Sequence, residues 1–383
     1  MNTPLELSEI GARLAKVDML LMSIVKQRMD LALEVERRKS VGKTAEERKI
    51  FNFKREEERL MAVGDWAKEH GMNPHFAQTL LYLLIGESCK QQMIQLQNRA
   101  GKPTDDSGDE SEWSETLCRN LLSLAESYSE RYDVEYDKAF FATRAYVEFE
   151  NNLLQEEIGK LSNHYVLLDL GCATGRLTFQ LAERFQWAVG YDISPHMVEK
   201  ANGKISNSGI RNICFKTADI EKGIPEPDSS VSLAVMNLGT ASDMRDISKV
   251  LKEITRVLVS RGRFFLSFYN TEALLYRLDF IPWPTGLVAK VNIHNRCLDV
   301  QNGTKILSVY ARSYSVSEVF DMIRGGIAVS RMETYPTISA ILPNDLFENK
   351  PEVQKSIMAI DKQLANSPLN GGAYIVVTGQ KVK

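Results

Sequence analysis

Residues Val166–Gly175 read VLLDLGCATG, an apolar run that ends in Asp-x-Gly-x-x-x-Gly and opens directly into a helical pattern. A strand, a glycine-rich turn and a helix in this order bring flexible backbone and a helix N-terminus beside whatever binds there. A dinucleotide site needs a further close glycine, as in G-x-G-x-x-G, and the turn lacks it. The stretch therefore predicts a Rossmann-like strand, turn and helix that bind a ligand without a pyrophosphate.

Short β-rich runs alternate with helices on both sides of this turn. This alternation predicts an α/β domain with a mostly parallel sheet that helices cover on both faces. The predicted strands are Tyr165–Leu170, Trp187–Tyr191, Ile213–Thr217, Val231–Met236, Arg263–Phe268 and Gly372–Gly379, and the predicted helices between them include Arg176–Phe185, Pro195–Asn207 and Asp246–Leu258.

Two aspartates follow the next two predicted strands. Asp192 lies in the segment GYDISPHMV and Asp219 in TADI. A carboxylate at the end of the second strand can accept hydrogen bonds from both ribose hydroxyls of an adenosine, and Asp219 is placed to bind the adenine amino group. The three spaced elements favour a cofactor site over a turn that only eases packing.

Together the three segments resemble the motifs of class I S-adenosylmethionine-dependent methyltransferases, over about residues 128 to 383. The resemblance implies that Asp169 and Gly171 flank the methionine part, that Asp192 binds ribose and that Asp219 holds adenine. The cofactor-binding set that it implies is Asp169, Gly171, Cys172, Gly175, Asp192, Ile193, Met197, Asp219, Ile220 and Asn237, the last beside the sulfonium.

The acceptor side carries no clear acid or base. Tyr269, His294, Arg296 and Tyr314 follow the fifth predicted strand, where the family places substrate contacts. Side chains of these types are more often surface or packing residues. Methyl transfer depends chiefly on alignment, so the missing base does not exclude it. Oxygen, nitrogen and acidic carbon acceptors all stay open.

The first hundred residues have a different, all-helical pattern. Apolar residues recur at helical spacing from Leu5 to about Lys39, which predicts one long helix whose apolar face pairs with another chain or with later helices. Further helices are predicted for Lys54–His70, capped by Gly71, and from Pro74 to about Arg99. The predicted domains are 1–100, a polar linker 101–112 and 113–383, in which helices 113–161 precede the Rossmann-like core 162–383.

Several polar residues of this helical region could line one pocket. Arg28 and Lys39 are 11 residues apart and share a helix face, so both can reach one small anion. Ser88 and Gln92 share a face of the third helix. Arg55 and Glu56 open the second helix. The alternative is that these are ordinary solvated faces.

The region also resembles the all-helical chorismate mutases of the AroQ type, over residues 5 to 99. The resemblance implies a catalytic set of Arg28, Lys39, Arg55, Glu56, Ser88 and Gln92, in which cations bind carboxylates while Lys39 and Gln92 stabilise the breaking ether oxygen. Two family positions differ, because Gly11 stands where the family has an arginine and Asn52 replaces an aspartate. The matching text is Val17-Asp18-x-Leu20-Leu21, Gln27-Arg28, Glu34-Val35-x3-Lys39, Arg55-Glu56 and Glu87-Ser88-x3-Gln92.

The amino-acid composition limits which kinds of binding partner we expect. The net charge of −3 gives no global field for nucleic acid or anionic lipid. Five scattered cysteines, none in a C-x-x-C pair, predict neither disulfides nor a zinc site, and a cytoplasmic location fits. No apolar run is long enough to span a bilayer. We expect no metal, no nucleic acid and no membrane, and a homodimer formed through the helical domain.

Three functions follow from these patterns. The first is a bifunctional enzyme that rearranges chorismate to prephenate and methylates a small chorismate-derived acid. The second is a working methyltransferase whose helical domain is a silent dimerisation or ligand-sensing module. The third uses the helical pocket to eliminate pyruvate from isochorismate.

Overall fold

The computed structural model describes residues 7–39, 53–81, 83–85, 87–88, 110–137, 140–277, 289–292, 296–302, 305–323, 327–342 and 350–382. These residues belong to two compact units, which divide between Asp106 and Ser107. The division falls inside the predicted linker.

The first unit consists of helices. Helix α1 spans Leu7–Lys39 and α2 spans Phe53–Glu69. A third helix, α3, is described at 74–81, 83–85 and 87–88. Gly71, with φ of +68°, ends α2 as its predicted cap, and the N–H of Met72 then donates to the carbonyl of Ala67 at 2.8 Å.

The second unit opens with three helices, α4 (Glu110–Tyr128), α5 (Tyr132–Asp137) and α6 (Phe141–Gly159). Helix α4 begins at Glu110, so the linker predicted to run to residue 112 extends too far. The acidic, serine-rich residues 110–112 read as solvated linker, yet acidic side chains are favourable in the first turn of a helix.

A seven-stranded sheet forms the core of the second unit, in the order β3-β2-β1-β4-β5-β10-β9. The first five strands pair in parallel and β10 pairs antiparallel with both β5 and β9. A mostly parallel sheet, as predicted, is confirmed. The strands are β1 Val166–Leu170, β2 Trp187–Asp192, β3 Ile213–Thr217, β4 Val231–Met236, β5 Leu258–Tyr269, β9 Ile327–Tyr335 and β10 Tyr374–Lys381.

The sequence did not predict β9 or a separate antiparallel sheet, β6-β7-β8. The three extra strands are Ala289–Asn292, Cys297–Asn302 and Lys305–Tyr310. The other helices are α7 Arg176–Leu181, α8 Pro195–Ser208, α9 Ile247–Val257, α10 Leu274–Arg277, α11 Val316–Ile323 and α12 Pro351–Leu364.

The position of β1 determines where a ligand binds. Strand β1 lies between β2 and β4, so the strand order reverses there and a crevice opens at the carboxyl ends of the strands. The central strands β1 and β4 are almost wholly buried and mainly apolar, as a sheet covered on both faces requires. The glycine-rich turn after β1 therefore opens into this crevice.

None of the helices within the described ranges combines the length and the apolar composition needed to cross a bilayer. The same residues contain no group of histidine, cysteine, aspartate and glutamate side chains arranged to hold a metal ion.

Candidate functional site

The main chain of the glycine-rich turn is already hydrogen-bonded within the protein. The N–H groups of Gly171 and Cys172 both donate to the carbonyl of Tyr191, at 2.7 and 3.0 Å. The N–H of Ala173 donates to Oδ2 of Asp192 at 2.8 Å. A loop that cradles phosphates instead presents free N–H groups to its ligand. The geometry thus agrees with the absence of the second, close glycine: the turn does not present the free N–H groups of a pyrophosphate cradle.

Both glycines of the turn, Gly171 and Gly175, adopt a left-handed backbone conformation, with φ of +78° and +80°. A Cβ on Gly171 would lie 2.5 Å from Cγ2 of Thr240, in the turn after β4. A Cβ on Gly175 would run into the ring of Phe215. The glycines therefore let the cofactor loop pack closely against the ends of β3 and β4.

Asp169, the last but one residue of β1, presents one oxygen without a partner. Its side chain is 1% exposed, and Oδ2 accepts the hydroxyl of Thr178 at 2.5 Å. Oδ1 has no hydrogen-bond partner among the described residues. Burial raises the pKa of this carboxyl to about 6. A buried, unpartnered oxygen is costly unless a ligand donates to it, and the α-amino group of an amino-acid cofactor fits this need.

Asp192 ends β2 on the other side of the crevice. Besides its bond from Ala173, its Oδ1 accepts the N–H of Ser194 at 2.8 Å. Each oxygen has a further lone pair, so both can still accept a ribose hydroxyl. Burial is the main cause that raises the pKa of Asp192, although the two backbone donors oppose it. The two donors fix the orientation of the carboxylate.

The other residues predicted to bind the cofactor differ in how their side chains are placed. Asp219 caps a short 3-10 helix, with Oδ1 accepting the N–H of Glu221 at 3.2 Å. Ile220 and Met197 are each only 6% exposed. The thiol of Cys172 packs under Gly190, so it is a packing residue of the loop. The side chains of Ile220 and Cys172 lie mainly in the core. The cofactor contacts of the predicted set stay predictions.

Helix α5 contributes residues that sequence reasoning missed. Asp133 accepts the hydroxyl of Thr174, in the cofactor loop, at 2.6 Å and the ammonium of Lys204 at 2.8 Å. The phenol of Tyr132 interacts electrostatically with Arg176 and Asp192, and burial raises its pKa. Helix α5 is thus anchored on the loop. The stretch RYDVEYD showed no spacing that could have revealed this contact.

A buried carboxylate in α6 supports the turn after β4. Glu150, 2% exposed, accepts the N–H of Leu238 at 3.0 Å, and Ser267 accepts the N–H of Gly239 at 2.9 Å. The hydroxyl of Tyr146 is hydrogen-bonded to Ser267. Burial raises the pKa of Glu150 to about 7. A glutamate on the apolar stripe of α6 was the sequence signal that could have indicated this network.

The residues predicted to contact the substrate have different surroundings in the structure. Tyr269 ends β5 at the crevice, with its ring 5.4 Å from that of Tyr374. Tyr314 is 1% exposed and packs edge-on against Phe268, so it is a core residue rather than a surface for substrate. Arg296 is exposed just before β7. His294 lies outside the described residues.

In the helical unit the structure brings two predicted residues together. Arg28 donates to Oγ of Ser88 and, at 2.5 Å, to the carbonyl of Leu84. Ser88 is 6% exposed. Helices α1 and α3 therefore contact each other at this point. The side chains of Lys39, Arg55, Glu56 and Gln92 lie outside the described residues.

Models of two known protein families match this chain, one in the helical region and one in the α/β region. Residues 161–307 match the family model described as a methyltransferase domain, and residues 10–93 match the model for chorismate mutase type II. The chain joins a chorismate mutase domain to a methyltransferase domain. Both resemblances seen in the sequence are confirmed, and S-adenosylmethionine, the predicted cofactor, agrees with the methyltransferase match.

Individual relatives are named as methyltransferases, and each match covers about a third of this chain. The chain is 27% identical over 123 residues to the uncharacterized methyltransferase YcgJ of Bacillus subtilis, covering 32% of this chain and 48% of that protein. It is 30% identical over 130 residues to the sterol 4-C-methyltransferase strm-1 of Caenorhabditis elegans, covering 31% and 38%. The match thus spans less than half the length of either relative. A solved S-adenosylmethionine-dependent methyltransferase from Clostridium acetobutylicum aligns with a TM-score of 0.44 and 16% identity, over 70% of this chain and 100% of that one.

Proposed function

We propose that the protein is a bifunctional enzyme, in which the helical domain rearranges chorismate or a close analogue and the second domain methylates a small acid derived from it. The fusion of the two domains in one chain supports a shared metabolite. The observation that carries the methyltransferase half is the unpartnered Oδ1 of Asp169 beside a loop whose N–H groups are already used.

The residues of the crevice fit S-adenosylmethionine. Asp169 would accept its α-amino group, Asp192 its ribose hydroxyls and Asp219 its adenine amino group. When bound, the cofactor supplies an electrophilic methyl group on a sulfonium sulfur. The chain's own part is to align the acceptor with that methyl group and to exclude water, which can account for most of the rate acceleration of such a reaction.

The proposed mutase chemistry needs charge and shape but no nucleophile. Ser88 and the carbonyl of Leu84 hold the guanidinium of Arg28 between α1 and α3. A guanidinium with a fixed orientation can bind a carboxylate of chorismate in a bidentate manner. Lys39 and Gln92 would stabilise the negative charge that develops on the ether oxygen.

Gly11 supports a second candidate function for the helical domain. A Cβ at this position would meet nothing within 4 Å, and the family has an arginine there. Loss of a charge-assisted contact to a carboxylate removes on the order of 1.5 to 3 kcal/mol of binding. A domain that binds a chorismate-like acid without turning it over, as a sensor or dimerisation module, is therefore the alternative.

The apolar surface of α1 supports a homodimer. Leu7 is 88% exposed, Leu14 59%, Val17 60% and Leu31 68%. So many large apolar side chains on one helix are costly in water, and a second copy of the helix would cover them. We propose that two chains associate through α1.

One incubation tests the bifunctional proposal. The full-length protein is mixed with chorismate and S-adenosylmethionine, and the products are analysed by mass. Prephenate together with a methylated acid supports both activities, and Arg28→Ala should remove the first while Asp192→Ala removes the second. Methylation without chorismate turnover favours the silent helical domain. Release of pyruvate from isochorismate, compared in parallel with chorismate, would identify the elimination reaction instead.

A further inference from the structure

Asp243 lies at the crevice on a rigid support. It ends the 3-10 helix Thr240–Asp243, which follows β4 after the turn 237–239. The preceding residue, Ser242, accepts the N–H of Tyr269 on its hydroxyl and the N–H of Arg312 on its carbonyl, both at 2.8 Å. The backbone that carries Asp243 is therefore tied to the end of β5 and to the segment after β8.

The carboxylate of Asp243 has no hydrogen-bond or ion-pair partner among the described residues, although it is partly buried. The groups that interact with it electrostatically are Asp192, from the end of β2, and Tyr374, from the start of β10. Neither is a cation. Burial and then repulsion by Asp192 raise the pKa of Asp243 to about 8. A carboxylate kept in such surroundings without a partner indicates a ligand that donates a proton to it.

Aromatic rings form the adjacent wall. A Cβ on Gly239 would lie 2.9 Å from the ring of Tyr269 and 3.2 Å from that of Tyr374, so both rings lie against the bare backbone of this glycine. Tyr276 interacts electrostatically with Tyr374. Burial raises the pKa of Tyr276 and Tyr374, which keeps both phenols neutral. The wall suits a flat ring but offers no proton acceptor.

The other carboxylates of the crevice are already used. Glu150 accepts the N–H of Leu238, Asp192 accepts two backbone N–H groups, and Asp169 accepts the hydroxyl of Thr178. Asp192 and Asp169 also face the positions proposed for the cofactor's ribose and amino group. Of these four described carboxylates, Asp243 is the one without a hydrogen-bond partner and is therefore available to the methyl acceptor.

We propose that Asp243 is the general base of the methyl transfer and that the acceptor is a neutral hydroxyl on a flat ring held against Tyr269 and Tyr374. This assignment rests on the proposed methyltransferase function. A hydroxyl is a weak nucleophile until its proton is removed, whereas a neutral amine attacks with its own lone pair, so a base at this point serves a hydroxyl.

The methyl transfer forms one bond, breaks another and moves one proton. An oxygen lone pair of the acceptor forms the new bond to the methyl carbon, and the carbon–sulfur bond breaks with its electron pair remaining on sulfur. The hydroxyl proton passes to the carboxylate of Asp243, which releases it to solvent after the product leaves. No oxidant, reductant or metal ion takes part.

The same geometry disfavours a carboxylate as the methyl acceptor. When Asp243 is ionised, as it must be to act as a base, a carboxylate beside Asp243 and Asp192 would place three like charges together, at a cost of several kcal/mol. A ring acid derived from chorismate would therefore bind with its hydroxyl toward Asp243 and its carboxylate pointing away. The expected product is an ether and not an ester.

The test uses two matched probes, 4-ethylphenol and 4-ethylbenzoate, which differ only in the group that faces Asp243. Binding of S-adenosylhomocysteine is measured first, because its absence contradicts the methyltransferase proposal itself. Each probe is then titrated calorimetrically into the protein saturated with S-adenosylhomocysteine at pH 9, above the pKa of about 8 of Asp243, so that its carboxylate is charged. We expect the phenol to bind at least about tenfold more tightly than the benzoate, since the benzoate meets two like charges.

The variant Asp243→Asn should lose this preference, with benzoate affinity rising about tenfold and S-adenosylhomocysteine affinity unchanged. Asp246→Asn is the matched control, because Asp246 caps α9 by accepting the N–H of Lys249 and asparagine caps equally well. A benzoate that binds as well as the phenol, an unchanged ratio in Asp243→Asn, or binding of neither probe would overturn the proposal.

The acceptor identified by mass analysis gives a second readout. With a deuterated methyl group on the cofactor, the label should appear on a hydroxyl oxygen of the product. Asp243→Asn should lower kcat about 100-fold and remove the rise of kcat with pH, as loss of a general base does. Label on nitrogen, on carbon or in a methyl ester would contradict the assignment.

Discussion

The N–H of Ala173 donates a 2.8 Å hydrogen bond to the carboxylate of Asp192, joining the turn after β1 to the end of β2. Ala173 has a positive φ of 46°, which a non-glycine residue adopts only when its surroundings hold it. The bond therefore fixes two parts of the crevice at once: the backbone of the cofactor loop and the orientation of the carboxylate. One substitution at Asp192 should disturb both.

Asp192→Ala is expected to weaken binding of S-adenosylhomocysteine on the order of 100-fold, because two charge-assisted hydrogen bonds to ribose are lost. Isothermal titration calorimetry measures the change. Asp228→Ala is the control, since Asp228 is an exposed aspartate of the same domain whose side chain is paired with Arg256. Equal affinity in Asp192→Ala and the control would contradict the assignment of Asp192.

Gly171→Ala is expected to destabilise the protein by about 2 to 4 kcal/mol. Its Cβ would force the methyl group of Thr240 to move, and alanine is strained at a φ of +78°. Denaturant unfolding measures the loss. In contrast, Gly203→Ala, in the exposed interior of α8 with nothing within 4 Å of its Cβ, should stabilise by about 0.5 to 1 kcal/mol. Equal effects at the two glycines would count against the close packing of the loop.

The sequence predicted which residues meet at the carboxyl ends of β1 and β2, because the determinants of this meeting are local. Asp169 and Gly175 belong to one strand and the turn that follows it, and Asp192 ends the next strand. A parallel sheet brings strand ends together by its construction, so the spacing alone placed these residues. The long helix α1 was predicted for a similar reason, since helical periodicity is a local property.

The supports of the crevice could not be predicted in this way. Glu150 precedes Leu238 by 88 residues, and nothing near either residue indicates that they form a hydrogen bond. Asp243 was overlooked because its importance lies in the partners it lacks, which only the packed structure shows. Strand β9 was missed as well, since it mixes apolar residues with Arg331 and Glu333, as an edge strand can.

The stability of the ligand-free protein should fall as pH rises from about 4.5 to 7. The pKa of Glu150 is 4.5 in the unfolded chain and about 7 in the fold, so the native state binds the extra proton within this range. Stability is therefore full below the unfolded pKa and is lost as pH rises through the folded one. A shift of this size corresponds to roughly 3 kcal/mol.

Glu150→Gln removes the contribution of Glu150 to this pH dependence, to which Asp169 and Asp243 also contribute, while keeping an acceptor for the N–H of Leu238. Unfolding free energies of wild type and variant, measured from pH 5 to pH 8, should converge at low pH and diverge at high pH, with the variant more stable. Glu148→Gln, an exposed neighbour on α6, should run parallel to wild type. A constant difference between Glu150→Gln and wild type across the range would contradict the raised pKa.

The double variant Leu14→Glu, Val17→Glu should convert a dimer into a monomer. The two side chains are 59% and 60% exposed and lie three residues apart, on one stripe of α1. Charges placed there remove apolar area from the proposed interface and add repulsion between the two copies. Light scattering after gel filtration measures the mass, and circular dichroism checks that the helices persist. Lys16→Glu, on the same helix but outside the apolar stripe, should leave the dimer intact. A wild-type protein that is already monomeric at micromolar concentration would overturn the dimer, because the apolar face of α1 would then be stable in water without a partner.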